Sequence, residues 1–148
     1  MRRPTREVFF ECAGAVAHPP AAHVRKAVVS VLDGEDVGVA SINVTFLSAQ
    51  RMRALNRRTF GLDRATDVIA FGMPHPGRVV GDVYVCPSIA RKNARRMKVS
   101  EGEEMVRLLV HGVLHALGRD HPLGEGRTSS PMWCAQERYV REAMKVGA

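Results

Sequence analysis

Apolar positions along the chain recur with two different periods, and the changes of period mark the elements. Val8-Phe9-Phe10-Glu11-Cys12 reads as a first strand. The Pro19-Pro20 pair then opens a helix in which Val24, Ala27, Val28, Val31 and Leu32 recur at helical spacing, and Asp33-Gly34 ends it. From Val39 to Leu47 the alternation shortens to that of a half-buried strand, with Ile42, Val44 and Phe46 on one side. Ser48 is placed to cap a short helix through Asn56, and a polar, basic loop follows. Val68-Ile69-Ala70-Phe71 and the run from Val79 to Val85 are two further strands. The turn-forming Met73-Pro74-His75-Pro76-Gly77 between them predicts a hairpin.

The second half is helical. Pro87 suits the first turn of a helix to about Met97, with Ile89, Ala90, Ala94 and Met97 inward and Arg91, Lys92, Arg95, Arg96 and Lys98 outward. Ser100 with Glu103 spells a capping box before a strongly apolar helix carrying Met105, Val106, Leu108, Leu109, Val113, Leu114 and Leu117, which stops at Gly118. A last helix from about Pro131 to Met144 presents Met132, Trp133, Tyr139, Val140 and Ala143; Met132, Trp133 and Tyr139 are read as core. No repeat or low-complexity tract interrupts the pattern. The expectation is an α+β fold in a single domain over residues 1–148, with a small mixed sheet of about four strands packed with about five helices.

Composition narrows the class. With 45% apolar and 25% charged residues in 148, a disordered chain is excluded. No apolar run approaches the roughly 20 residues of a membrane span, and Met1-Arg2-Arg3-Pro4-Thr5-Arg6-Glu7 lacks the apolar stretch of a signal peptide, so a cytoplasmic protein without a membrane partner is expected. Cys12, Cys86 and Cys134 are widely spaced with no C-x-x-C pair and are expected to be reduced. Twenty-two Lys and Arg against fifteen Asp and Glu leave +7, which favours a polyanionic partner, nucleic acid first.

Candidate chemistry is concentrated between His111 and His121. Histidines four apart on a helix project from one face, so His111 and His115 can point at one metal ion. Gly118 can turn the chain so that His121 approaches as a third ligand. Three neutral nitrogens suit zinc or a similar transition metal and leave a fourth position open, the mark of a catalytic site. A lone histidine on an apolar helix is ordinarily a hydrogen-bonded core residue, but here three of the six histidines fall within eleven residues. Zinc proteases of the H-E-x-x-H-x-x-G-x-x-H type share this skeleton and use the glutamate as general base; this chain has Gly112 there, which cannot accept a proton.

The same segment resembles the YbeY family of metal-dependent endoribonucleases. The family pattern H-G-x-L-H-x-x-G-x-D-H is matched by His111, Gly112, Leu114, His115, Gly118, Asp120 and His121 without a gap. The likeness extends through Leu55-Asn56, the run from Thr66 to Phe71, Gly81-Asp82-Val83, Cys86-Pro87, Met132 and Glu137, covering about residues 40 to 140. It implies a single-strand-specific endoribonuclease in maturation of the 3′ end of 16S ribosomal RNA, working with the small ribosomal subunit or its assembly factors. It also implies His111, His115 and His121 as ligands of one Zn2+ or another transition metal.

The family typically carries an arginine where the ungapped alignment places Phe60, and Ala70 stands where serine is frequent. Arg57, Arg58 and Arg64 lie close by and are the candidate RNA-binding residues; Arg58 is taken with the histidines as catalytic. Asp120, Asp67 and Asp82 are candidate acceptors for the outward ring nitrogens. Two other readings stand beside this one: a metal-dependent hydrolase of another substrate, such as a peptidase, and a non-catalytic ribosome-associated RNA-binding factor.

Overall fold

The structure, a computed structural model, describes residues 4–145. Strands β1 (Thr5–Ala13), β2 (Val39–Leu47), β3 (Val68–His75) and β4 (Arg78–Val85) form one sheet in the order β1-β2-β4-β3. The first three in that order run parallel, and β3 is antiparallel at the edge. Parallel neighbours need long crossovers. Helix α1 (Ala21–Gly34) provides the first, and α2 (Ala49–Phe60) with β3 provides the second. The hairpin turn is tighter than its sequence suggests. Met73, Pro74 and His75 join the ladder opposite Val80, Val79 and Arg78, leaving Pro76 and Gly77 to turn, with Gly77 at φ 73.

Register separates the two faces. The rows Val8–Ile42–Gly81–Gly72 and Phe10–Val44–Val83–Ala70 face α1, α4 (Glu101–Ala116) and α5 (Pro131–Met144). There Val28, Leu32, Ile42, Phe46, Leu109 and Leu114 are fully buried, each contributing roughly 1.5–3 kcal/mol. The opposite row, Phe9–Asn43–Asp82–Phe71, is mostly polar or exposed. On that side Met52 and Leu55 of α2 join a smaller cluster with Leu47, Ile69 and Cys86.

Glycines set how closely α4 lies on the hairpin. A Cβ on Gly112 would come 2.5 Å from Cγ1 of Val83, and one on Gly72 would run into the Ala116 carbonyl. Position 112 therefore faces β4, where no glutamate fits.

Three serines cap helices. The Oγ atoms of Ser48, Ser100 and Ser130 accept from the amides of Arg51, Glu103 and Trp133. The Ser100 box is one-sided, because the Glu103 carboxylate accepts from Arg107 instead. Helix α2 continues past Asn56 to Phe60, where Gly61 takes the left-handed conformation. Helix α3 spans Pro87–Met97. Its Met97 is 41% exposed, not inward as its spacing suggested, because it lines a cavity near the helix end. Trp133 is likewise half-buried on that cavity, while Met132 and Tyr139 are core. Cys12, Cys86 and Cys134 are unpaired. Among the described residues no helix is long and apolar enough to cross a membrane.

Candidate metal centre

Helix α4 ends in a turn that converts sequence spacing into a site. The amide of Arg119 donates to the Leu114 carbonyl and that of Gly118 to the His115 carbonyl, the paired bonds of a Schellman motif. Gly118, at φ 93, makes the reversal possible. His121 is thereby returned to the face carrying His111 and His115, and the ring centroids lie 4.5, 5.1 and 5.1 Å apart. The candidate ligand atoms all fall within 4.8 Å of one another.

Hydrogen bonding selects the tautomers that a metal requires. Nδ1 of His111 lies 2.6 Å from Oε1 of Gln136, so the ring donates there and its Nε2 keeps a lone pair. Nδ1 of His121 donates to the Pro122 carbonyl at 2.9 Å, freeing its Nε2 in the same way. The Nε2 atoms of His111 and His115 are 3.0 Å apart. That spacing is short enough for both nitrogens to bind one ion.

Burial pushes the His111 imidazolium down to about 4; Gln136 opposes the shift, while His115, His121 and Arg127 reinforce it. Burial also lowers His115, helped by the charge of His121. Both rings are neutral at physiological pH, as ligands must be. The donor set fits a transition metal.

Gln136 does not stand alone. Arg107 on α4 donates from Nη2 to Oε1 of Glu137 at 2.9 Å and from Nε to Oε2 at 2.9 Å. Glu137 accepts from Nε2 of Gln136 at 3.1 Å, which turns the amide oxygen of Gln136 toward His111. An ion pair thus orients an amide, and the amide orients a ligand.

None of the three candidate aspartates takes this part. Asp67 accepts from the Val68 amide and from Asn93, and Asp120 accepts from the His121 amide. Asp82 stands on the opposite sheet face, in register with Phe71. Gln136 escaped the sequence reading, although it is the polar exception on the buried stripe of Met132, Ala135, Tyr139 and Val140.

The structure brings the three histidines together, but not the three arginines with them. Arg57 and Arg58 line a groove on α2 with Gln50, Arg53 and Asp63, where Arg53 pairs with Asp63 at 2.8 Å. Arg64 is exposed beyond it. Phe60, 56% exposed, stacks on Phe71 at 6.4 Å, and Phe71 meets Tyr84 edge-on. Beside His111 lies a cavity of about 180 Å³ whose lining includes Arg96 and Arg127.

Comparison with known proteins agrees with this geometry. The family model described as endoribonuclease YbeY matches residues 17–144. Endoribonuclease YbeY of Thermotoga maritima is 35% identical over 108 residues, covering 73% of this chain and 71% of that protein. Its counterpart in Chlorobaculum tepidum is 35% identical over 114 residues, covering 76% and 82%. A solution structure of a Thermotoga maritima protein superposes with a TM-score of 0.61 at 26% identity, covering 92% of this chain and 88% of that one. The histidine pattern, the mixed sheet behind it and these matches agree, and the chain belongs to the endoribonuclease YbeY family.

Proposed function

We propose that this protein is a metal-dependent endoribonuclease cutting single-stranded RNA, with precursor 16S ribosomal RNA near its 3′ end as substrate and the small ribosomal subunit as setting. The observation that carries the reading is the convergence of three histidines, two with Nε2 lone pairs freed by outward hydrogen bonds, in a chain of this family. Nitrogen-only donors favour zinc. When bound, the ion supplies a Lewis acid to a phosphodiester.

The chain's own residues do the remainder. Gln136 holds the His111 ring in one tautomer, and the Gly118 turn presents His121. Arg57, Arg58 and Arg64 offer the RNA backbone an exposed cationic track, with Arg57 and Arg58 in the α2 groove and not in the cavity beside His111. A peptidase reading loses its usual general base, because Gly112 is packed against Val83. The net charge of +7 and the unpaired cysteines suit a cytoplasmic RNA enzyme.

The test is cleavage of a single-stranded RNA and its matched duplex by purified protein, with and without metal, and by His115→Ala. Metal-dependent cutting confined to the single strand and absent from the variant is expected. RNA binding without any cutting would replace this reading with that of a non-catalytic assembly factor.

A further inference from the structure

The cavity beside His111 has a rim and a floor of different character. Its floor is buried and electrically answered: Glu104 pairs with Arg107, and Gln136 bonds His111 and Glu137. Asp67 on the wall is also engaged, accepting from the Val68 amide and from Asn93. The rim is exposed and cationic. Arg96 hydrogen-bonds Asn93 at 3.3 Å, and the Arg127 guanidinium lies over the Trp133 ring, 5.5 Å from its centroid. Among the described residues neither arginine has a carboxylate within salt-bridge distance. Stacking occupies the face of a guanidinium and leaves its in-plane N–H donors for an anion. Arg127 is also near enough to the triad for its charge to disfavour protonation of both His111 and His115.

A cavity of about 180 Å³ is far larger than one water needs. Two unanswered cations, an amide and an indole beside a candidate metal centre match what single-stranded nucleic acid offers: phosphate for the guanidinium and a π face for the ring. Resting on the ribonuclease reading above, we propose that this cavity is a subsite for the nucleotide flanking the cleaved bond, with Arg127 and Arg96 holding its phosphate and Trp133 contacting its base or ribose. The groove on α2 attracts RNA over a broad surface, whereas this subsite fixes the register of the strand across the histidines. Its residues bind away from the reacting atoms, so they act on KM more than on kcat.

The test compares the metal-loaded wild type with Arg96→Gln/Arg127→Gln. A second double variant, Lys92→Gln/Arg95→Gln, removes the same charge from exposed positions of α3 that do not line the cavity. Binding of a phosphorothioate-linked single-stranded RNA is followed across salt concentrations, together with cleavage kinetics, metal content and thermal unfolding. The cavity variant is expected to bind roughly tenfold more weakly and to lose about 0.7 from the slope of log affinity against log salt, the share of the single phosphate it no longer neutralises. Its kcat should stay within about twofold of wild type, with metal content and unfolding unchanged. The control should move affinity by much less. Equal effects from both variants, or none from the cavity variant, would overturn the subsite while leaving the ribonuclease reading intact. A wild type that neither binds nor cuts RNA would overturn both.

Discussion

Arg107 and His111 stand one turn apart on α4, yet their surroundings are opposite in kind. Arg107 is answered on every side, by Glu103 at 3.1 Å, Glu104 at 3.0 Å and Glu137 at 2.9 Å. Those bonds raise its pKa further above its usual value, Glu137 contributing most. Burial pushes Glu137 up, but Arg107 outweighs it and holds this carboxylate below its usual value. The histidines instead donate outward from Nδ1 at His111 and His121, and the Nε2 atoms so freed converge on one another. The first arrangement is closed and holds the helices together; the second is complete only with an added electrophile. Partner count, more than burial or charge, distinguishes a structural polar cluster from a working one.

Removing a member from either cluster should reveal the difference. His115→Ala takes a ligand from a triad with no spare, and cleavage is expected to fall by about a thousandfold or more. Its effect on the stability of metal-free protein should be smaller than that of Arg107→Ala, since the ring is only partly buried there. Cleavage kinetics and chemical denaturation of the chelator-treated protein check the two halves. A metal-free variant that loses as much stability as Arg107→Ala would erase the distinction.

Arg107→Ala leaves Glu104 and Glu137 without their cation, Glu104 being only 3% exposed. Stripping one partner from a buried pair costs about 3–5 kcal/mol. Equilibrium denaturation should show that loss, with acidification restoring part of it as the abandoned carboxylates protonate. The buried Glu104 already has a raised pKa, chiefly through desolvation, so it should take up its proton first.

Acid should act on the histidine cluster of metal-free wild type in a defined direction. Unfolded, His111 titrates near its ordinary 6.5; folded, burial holds it at about 4. Between those values the unfolded chain binds a proton that the folded chain refuses. Stability is therefore full above pH 6.5 and is lost as pH falls toward 4, by at most about 3 kcal/mol from this residue. His115 is lowered as well and adds to the loss. Denaturation midpoints at pH 7 and 5 for the metal-free protein and for His111→Asn test this. A slope equally steep in the variant would locate the acid sensitivity elsewhere.

The sequence was informative wherever interactions are local. His111, His115 and Gly118 occupy adjacent turns, so helical spacing and one left-handed residue suffice to predict their convergence. Alternation located β2 at its observed bounds, and short apolar runs located the other three strands, whose ends moved. The hidden features involve distant segments. Gln136 meets His111 from 25 positions away, and Arg127 reaches the cavity from a 3-10 turn that periodicity does not register. Met97 and Trp133 show a second gap: an apolar residue facing a cavity and one facing the core have the same spacing.

Gln136 joins the two clusters, so its substitution is the finest probe of how separable they are. Gln136→Ala removes the acceptor for His111 Nδ1 and one donor to Glu137, while the Arg107–Glu137 pair stays intact. The ring then loses its reason to favour one tautomer, and metal affinity should fall roughly ten- to hundredfold. Gln136→Glu supplies a stronger acceptor for His111 but sets a second carboxylate beside Glu137. It should keep more of the affinity than alanine does, at a cost in stability from the like charges. Competition with a chromophoric chelator measures the affinity, and denaturation of the metal-free proteins measures the stability. If alanine left metal binding untouched while destabilising the fold, Gln136 would belong to the closed cluster and the triad would set its own tautomers. Affinity lost with the fold preserved would show that the ion pair at Arg107 reaches the metal site through this one amide.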